Sequence, residues 1–358
     1  MLSARKAIQS LKEYHPPLGD RSGLRLDFNE NTVGASPRVL QRLHQLTLED
    51  LARYPVREPV EAQVASFLGL RPEEVLLTNG VDEGIHLLCE TYLEPEGEAI
   101  IVVPTFAMYE ISAAATGARV VWVPAREDFG FPLEAVLAAI TPRTRLIAVA
   151  NPNNPTGTMV SPEGLLTIAR AAPEAAILVD EAYFEFCGKT LLSSACTCAN
   201  VFVARTFSKA YGLAGLRVGV LAGPAAAMRM VRRVASPYNV NAAALLALPE
   251  ALRDKEYVCD YVGQVQRGRS RLEQEFRDRS LAFCPSQANF VLVRIGTAHA
   301  ALVTKMKERG ILVRDRSADP GCDGWVRITL GAEEHTERLI RTLRDVLAEL
   351  KIGSEVAV

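Results

Sequence analysis

Short apolar segments recur along the central part of the chain, and turn residues or helix-forming stretches separate most of them. Short apolar runs bounded by such residues are typical of buried strands. Strands that alternate with helices in this way predict an α/β sheet with both faces covered. The predicted strands lie at residues 75–77, 99–103, 119–123, 146–149, 176–179, 201–204 and 218–221.

Both ends of the chain have a different pattern. Alternating residues at 24–28 predict a short strand. Ser36 followed by Pro37 predicts a helix start, because serine caps helices and proline suits their first position. The last third of the chain combines a long charged helix at 257–279 with strands near 289–293, 311–313 and 325–329. A C-terminal helix then presents one apolar face, formed by Leu339, Leu343, Val346 and Leu350.

These patterns predict how the chain is divided. At 358 residues it is long enough for two domains and a large core. We expect an N-terminal arm at 1–30, a large domain at 31–245 and a smaller α+β domain at 246–358. The large domain is built on the mostly parallel seven-stranded sheet, and the arm is expected to pack with the small domain.

A lysine flanked by hydroxyl groups follows the predicted strand at 201–204, in the segment Thr206-Phe207-Ser208-Lys209. Burial at the end of a strand disfavours the charged form of an amine, so Lys209 is predicted to attack carbonyl groups. Thr206, Ser208 and Arg217 offer donors that suit a phosphate near this amine. The combination is typical of a pyridoxal phosphate (PLP) site, whereas a solvated lysine is the commoner outcome for an isolated example.

Other polar residues also follow predicted strands, where the chemistry of α/β sheets gathers. Asp180 can keep a pyridine nitrogen protonated or can simply cap a helix, and Tyr183 three residues later can bond a ring oxygen. The Asn154 amide, in a Pro- and Asn-rich turn, can meet a cofactor hydroxyl, and its bond to Pro155 is a candidate cis peptide. A helix that starts at Gly80 offers free N–H groups to a phosphate.

Composition narrows the class of protein. The 40 Lys and Arg against 42 Asp and Glu give a net charge of −2, so neither nucleic acid nor an anionic membrane is expected as a partner. No apolar run reaches about 18 residues, and no signal-peptide pattern is visible. The 7 scattered cysteines suit the reduced thiols of a cytoplasmic enzyme. Cys196 and Cys198 lack the further ligands of a zinc site, so no metal is expected.

In this order, the motifs resemble those of the fold-type I PLP-dependent aminotransferases over essentially the whole chain, and within them the histidinol-phosphate aminotransferase family. The resemblance implies the PLP-transferase fold, with a small domain made from both termini. It rests on A-R-Y-P at 52–55, G-V-D-E at 80–83, P-T-F-A-M-Y at 104–109, N-P-N-N-P-T-G at 151–157, D-E-A-Y at 180–183 and F-S-K-A-Y-G-L-A-G-L-R at 207–217.

The resemblance also implies roles for individual residues. Lys209 corresponds to the Schiff-base lysine, and Asp180 to the partner of the pyridinium nitrogen. Asn154 and Tyr183 would meet the ring oxygen, and Tyr109 would stack on the ring. Tyr54 of the partner subunit would reach the cofactor phosphate, which implies an obligate homodimer. The remaining phosphate contacts would come from the backbone of Val81 and Asp82 and from Thr206, Ser208 and Arg217.

Two arginines near the C-terminus bear on the substrate. Arg314 and Arg327 lie at predicted strands, where an arginine is costly to bury without an anion. They face either a charged ligand or a salt-bridge partner such as Asp315 or Asp319. In the resembled family they match arginines that bind a substrate carboxylate or phosphate, and two guanidinium forks suit a phosphate dianion. Further substrate-binding residues are predicted at Tyr14, Asn29 and Tyr238.

The expected reaction is a ping-pong amino transfer through an aldimine of Lys209. Glutamate would donate its amino group and leave as 2-oxoglutarate, and imidazole-acetol phosphate would accept it to give histidinol phosphate, a step of histidine biosynthesis. An aromatic amino-acid aminotransferase and threonine-phosphate decarboxylase (a lyase) are alternatives with the same fold and cofactor. A DNA-binding regulator on this fold is not expected, because neither a helix-turn-helix extension nor a basic patch is seen.

Overall fold

The computed structural model describes residues 2–15 and 19–353. Its helices are Lys6–Gln9 (α1), Pro37–Leu43 (α2), Leu48–Ala52 (α3), Glu58–Leu68 (α4), Gly80–Tyr92 (α5), Met108–Thr116 (α6), Leu133–Ala139 (α7), Pro162–Ala171 (α8), Phe184–Cys187 (α9), Leu192–Ala195 (α10), Ala225–Val234 (α11), Ala242–Arg253 (α12), Lys255–Asp278 (α13), His299–Glu308 (α14) and Glu333–Glu349 (α15). Its strands are Leu24–Arg25 (β1), Val75–Thr78 (β2), Glu98–Val103 (β3), Arg119–Pro124 (β4), Thr144–Ala150 (β5), Ala176–Asp180 (β6), Val201–Thr206 (β7), Gly219–Ala222 (β8), Phe283–Cys284 (β9), Phe290–Arg294 (β10), Ile311–Leu312 (β11), Arg314–Asp315 (β12) and Trp325–Thr329 (β13).

The predicted central sheet is present. Within the described residues seven strands form it, in the order β2-β8-β7-β6-β5-β3-β4. Strand β8 runs antiparallel to both of its neighbours, while β3 to β7 pair in parallel. The expectation of an α/β fold around a mostly parallel sheet is therefore confirmed. Because β6 and β7 are parallel neighbours, the residues that follow them meet at one edge of the sheet.

Apolar side chains on alternate positions of the strands fill both faces of this sheet. In β5, Leu146 and Ala148 join one buried cluster, whereas Ile147 and Val149 join the other. Helices α5, α6 and α11 pack on the first face, and α8 packs on the second. The sheet is thus the middle of three layers, as its continuous apolar strands require. None of the helices in the described residues is long and apolar enough to cross a membrane.

Strands β9, β10, β12 and β13 form a second, antiparallel sheet in the C-terminal part, in the order β12-β13-β10-β9. The long helix α13 and the C-terminal helix α15 pack against each other beside it, and Leu339, Leu343 and Val346 of α15 are buried. The N-terminal arm contacts both the large-sheet part and the C-terminal part of the chain. Its strand β1 pairs with β11, while Arg5 donates to the carbonyl of Ala115 at the end of α6. The domain boundaries stay a prediction.

Two short segments differ from the pattern predicted for them. The strand expected at 24–28 spans only Leu24–Arg25, and Asn29 turns the backbone with a φ of 56°. The strand expected at 311–313, with Arg314 at its end, is two strands in different sheets. Ile311–Leu312 pairs with β1, whereas Arg314 begins β12 and pairs with β13. The chain changes partner at this point, which an apolar run alone does not reveal.

Candidate active site

Lys209 lies in the loop after β7, and its side chain is partly buried. Its Nζ donates a hydrogen bond of 2.9 Å to the backbone carbonyl of Phe28 in the N-terminal segment. Burial, followed by the nearby positive charge of Arg327, lowers the pKa of the Lys209 amine to about 8. A substantial fraction of this amine is therefore neutral near pH 8, which is the form that attacks a carbonyl.

Asp180 ends β6, next to β7, and is only 5% exposed. Its Oδ2 accepts a hydrogen bond of 2.6 Å from the Tyr109 hydroxyl, and its Oδ1 accepts one of 3.0 Å from the N–H of Ala182. Burial raises the pKa of Asp180 to about 6, although both hydrogen bonds act in the opposite direction. A cationic partner would therefore stabilise the charged carboxylate strongly. The bond to Ala182 closes a local turn and is not a helix cap, because the helix that follows, α9, has Tyr183 at its N-cap.

Tyr183 belongs to a buried network of hydrogen bonds that joins distant parts of the chain. Its hydroxyl accepts a bond of 2.9 Å from Asn29 Nδ2. The Oδ1 of Asn29 accepts from the Thr329 hydroxyl at 3.0 Å, and its backbone carbonyl accepts from Asn289 at 3.2 Å. Asn29 has a positive φ of 56°, which is unusual for a residue with a side chain. The surrounding bonds hold this conformation and with it the position of the Tyr183 hydroxyl.

The start of α5 and the loop after β7 form a cradle of donors. Gly80 has a φ of +72°, and a Cβ at this position would lie 2.6 Å from Nη2 of Arg217. Arg217 donates to Asp82 at 2.9 Å, and the N–H of Ser208 donates to the Thr206 hydroxyl at 3.1 Å. The first N–H groups of α5, including that of the buried Val81, have no helical acceptor by position. Helix start, hydroxyls and guanidinium together make a geometry that suits an anion.

Arg314 and Arg327 lie directly opposite each other on β12 and β13. Arg327 is 4% exposed and donates through Nη1 to Asn154 Oδ1 and through Nη2 to the carbonyl of Asp27. Within the described chain, Nε of Arg327 and Nη1 of Arg314 are buried without a hydrogen-bond partner. Burial, then the charges of Arg316 and Arg314, lower the pKa of Arg327 to about 9. Such a cluster of cations is stable only beside an anion.

The sequence left open salt bridges of these arginines with acids such as Asp315 or Asp319, but within the described residues those two acids pair with other side chains. Asp315 pairs with His299 at 2.8 Å, and Asp319 pairs with Arg316. Among the ion pairs of residues 2–15 and 19–353, none involves Arg314 or Arg327. The carboxylates near these two arginines are therefore committed elsewhere.

Three residues predicted near the cofactor or substrate lie at the surface of this chain. Tyr54 and Tyr238 are 77% and 55% exposed and stack on each other, with ring centroids 4.4 Å apart. Tyr14 is 44% exposed, in a segment that is neither helix nor strand. Their contacts with ligand stay predictions. The peptide bond between Asn154 and Pro155 is cis, as the sequence allowed.

Some residues of the site were missed by sequence reasoning. The spacing of two between Arg314 and Arg316 in a strand could have indicated Arg316, since such residues share a face. Asn289 and Thr329 carry no comparable signal, because their importance comes from contact with Asn29. The carbonyl of Phe28 is a backbone group, so no side chain in the sequence marks it.

The fold and these clusters agree with the comparison with known proteins. The chain belongs to the class I and II aminotransferases, because the model of that family matches residues 21–343. The histidinol-phosphate aminotransferase of Moorella thermoacetica is 36% identical, over 96% of this chain and 93% of the relative. Histidinol-phosphate aminotransferase 2 of Pseudomonas fluorescens is also 36% identical, over 96% and 97%. The expected membership is confirmed.

A solved structure is similar to this chain over nearly its whole length. The crystal structure of histidinol-phosphate aminotransferase from Sinorhizobium meliloti, in complex with pyridoxal-5'-phosphate, matches with a TM-score of 0.87 and 27% identity. The match covers 96% of this chain and 97% of that one. Both the sheet of the large part and the smaller C-terminal sheet therefore belong to an arrangement found in a known aminotransferase.

Proposed function

We propose that this protein is a PLP-dependent aminotransferase that moves an amino group between glutamate and imidazole-acetol phosphate, giving 2-oxoglutarate and histidinol phosphate. The observation that carries the proposal is the position of the arginines relative to the lysine. Arg327 and Lys209 donate to the carbonyls of consecutive residues, Asp27 and Phe28. Arg327, paired across the strands with Arg314, therefore lies close to the amine of Lys209, which supports an anion site beside a reactive amine. The names of the relatives support the same substrate.

The residues of the pocket fit PLP. The absence of a Cβ at Gly80 lets the Arg217 guanidinium lie against the start of α5, a combination that suits the cofactor phosphate. Asp180 is a buried carboxylate whose raised pKa calls for a positively charged partner, which a protonated ring nitrogen supplies. When bound, PLP supplies an aldehyde that condenses with amines and a pyridine ring that withdraws electrons.

In the proposed reaction, Lys209 is the catalytic base. In the first half of the reaction its Nζ would take the proton from Cα of the amino donor. In the second half it would give a proton to Cα of the product amine, a task suited to an amine with a pKa of about 8. Asp180, oriented by Tyr109 and Ala182, would hold the ring nitrogen protonated. Tyr183 and Asn154 would orient the ring oxygen, and Tyr109 would stack on the ring.

The cofactor phosphate is assigned to the cradle around α5. The backbone N–H groups of Val81 and Asp82 would donate to it from the helix start. The hydroxyls of Thr206 and Ser208 and the guanidinium of Arg217 would complete the set. On the substrate side, Arg314 and Arg327 are assigned to the phosphate or carboxylate, and Asn29, Tyr14 and Tyr238 to further substrate contacts.

We further propose that the protein works as a homodimer. Large apolar side chains stand exposed between residues 33 and 56, among them Leu48 at 88% and Leu51 at 67%. An exposed apolar patch of this kind is typical of an interface. The partner subunit's Tyr54 would then reach the cofactor phosphate. A cytoplasmic location, inferred from the cysteines, stays a prediction.

A substrate panel tests the proposal. Purified protein loaded with PLP is given histidinol phosphate, phenylalanine or threonine phosphate, and the cofactor absorbance and the products are followed. Fast conversion of the cofactor to its amine form by histidinol phosphate, and slow conversion by phenylalanine, are expected. Faster conversion with phenylalanine would favour the aromatic aminotransferase. Release of carbon dioxide from threonine phosphate would favour the decarboxylase.

A further inference from the structure

Arg316 lies on the same face of the small sheet as the two predicted substrate arginines. Its backbone N–H donates to the carbonyl of Trp325 at 3.0 Å, so the pairing of β12 with β13 continues beyond Asp315. Side chains two positions apart on a strand share a face, which places Arg316 beside Arg314 and diagonally opposite Arg327. The side chain is 13% exposed, and its Nε is buried without a partner in the described residues.

Neighbouring groups respond to the charge of Arg316. It contributes, after burial, to the lowered pKa of Arg327, and it acts with Arg327 against the rise that burial causes in the pKa of Tyr183. Tyr183 follows Asp180 at the end of β6. Together with the register of β12 and β13, this places the Arg316 guanidinium near Arg327 and Tyr183.

One carboxylate accompanies these cations. Asp319 forms an ion pair with Arg316, and its N–H donates to the Arg316 carbonyl at 2.9 Å, which closes a tight turn. The other acidic neighbours are engaged, since Asp315 pairs with His299 and Asp27 with Arg21. Within the group formed by Arg314, Arg316, Arg327 and Asp319, three guanidiniums accompany one carboxylate, which leaves two positive charges in excess.

We infer that Arg316 is a third anion-binding residue of the substrate site, which with Arg314 and Arg327 selects a phosphate dianion over a monoanion of the same shape. Asp319 is a positioning residue that holds the Arg316 guanidinium toward the others. Two excess charges match a dianion, whereas a monoanion leaves one buried charge uncompensated. This inference deepens the proposed function and rests on it for the identity of the phosphate ester.

The test compares two small probes on the PLP-loaded enzyme. Methyl phosphate is largely dianionic at pH 7.5, whereas methyl sulfate has nearly the same shape and one charge. Calorimetry measures both dissociation constants for the wild type, Arg316→Gln and Arg316→Lys. We expect Arg316→Gln to weaken methyl phosphate binding about tenfold or more, because charge-assisted hydrogen bonds are lost. Methyl sulfate binding should weaken less than about threefold. The methyl phosphate affinity of Arg316→Lys, which keeps the charge but not the guanidinium fork, should lie between those of the wild type and Arg316→Gln.

Arg294→Gln is the matched control, because this arginine is exposed at the end of β10, and its affinities for both probes should equal those of the wild type. The thermal midpoint and cofactor spectrum of each variant are recorded first. If Arg316→Gln does not fold, Arg316→Lys carries the test. Equal losses for the two probes, or no loss for either, would overturn the inference.

The test separates this inference from the proposed function. If histidinol phosphate is not a substrate but methyl phosphate binding depends on Arg316, the dianion site stands and the substrate assignment fails. If histidinol phosphate is transaminated and Arg316→Gln binds both probes normally, the role of Arg316 alone fails.

Discussion

Two polar regions lie close to each other, and their polar groups differ in how many hydrogen-bond partners the chain supplies. At the ends of β6 and β7, Asp180 accepts hydrogen bonds on both oxygens, and Lys209 donates to a backbone carbonyl. On the small sheet, nitrogens of Arg314, Arg316 and Arg327 are buried without partners in the described residues. The first region is held in place by the fold itself, while the second is incomplete without an anion.

This difference suggests that the two regions carry different tasks. A group fixed by internal hydrogen bonds can act on a reacting atom without reorganisation, which is valuable for proton transfer. Buried donors without acceptors instead gain most when a charged ligand supplies the missing bonds. The large sheet is therefore suited to the chemistry common to aminotransferases, and the small sheet to the choice of substrate.

The largest expected effect comes from removing the amine of the first region. Lys209→Ala should lower kcat by about 10⁴-fold or more, the upper end of what a positioned base contributes, because no other group replaces it. Single-turnover absorbance measurements with glutamate check this. Lys189→Ala, at an exposed lysine, is the control and should keep normal activity. A near-normal rate for Lys209→Ala with an unchanged thermal midpoint would remove Lys209 from the mechanism.

The next effect concerns the acidity of the same amine. Burial and the charge of Arg327 disfavour its protonated form, so the neutral form appears at lower pH than for a free lysine. In protein stripped of cofactor, reductive alkylation of Lys209 should rise with pH, with a midpoint near pH 8. At pH 8 it should react about a hundredfold faster than exposed lysines of ordinary pKa. Peptide mass mapping gives the site-specific rates, and a midpoint near 10.5 would contradict the lowered pKa.

A smaller and more selective effect is expected on the small sheet. Arg314→Ala should reduce kcat/KM for histidinol phosphate about 10- to 50-fold, the loss of a charge-assisted contact, and for glutamate less than about fivefold. Steady-state kinetics with each amino donor measure both values, and Arg294→Ala serves as the control. Equal losses for the two donors would mean that Arg314 does not distinguish phosphate from carboxylate.

The smallest effect tests how strongly the first region depends on its internal bonds. The Tyr109 hydroxyl donates to Asp180 and thereby lowers the pKa of this carboxyl. Tyr109→Phe removes the hydroxyl, so the pKa of Asp180 should rise. Because this bond acts on PLP only through the Asp180 carboxylate, we expect about a 2- to 10-fold loss of PLP affinity, less than for a charge-assisted bond made to the ligand itself. Equilibrium dialysis measures it, with Tyr92→Phe, at a tyrosine away from Asp180, as the control. An unchanged affinity would show that Ala182 alone positions Asp180.

Much of the fold followed from local patterns. The seven strands of the large sheet appear within a few residues of their predicted bounds, because each is a continuous apolar run between turn residues. The start of α2 also follows, since the Ser36 side chain accepts from the N–H of Arg38 with Pro37 at the first position. The division of residues 311–315 between two sheets did not follow, since pairing partners lie far away in sequence.

The residues themselves determined which chemical groups are available: a lysine after a buried strand, an acid at the end of the strand before it, and arginines among apolar residues. Tertiary structure alone decided what those groups meet. It brought the carbonyls of Asp27 and Phe28 to Arg327 and Lys209, and it set Arg314 opposite Arg327 with Arg316 beside them. The physical reason is that burial and hydrogen bonding depend on contacts across hundreds of residues, whereas a sequence motif records only its neighbours.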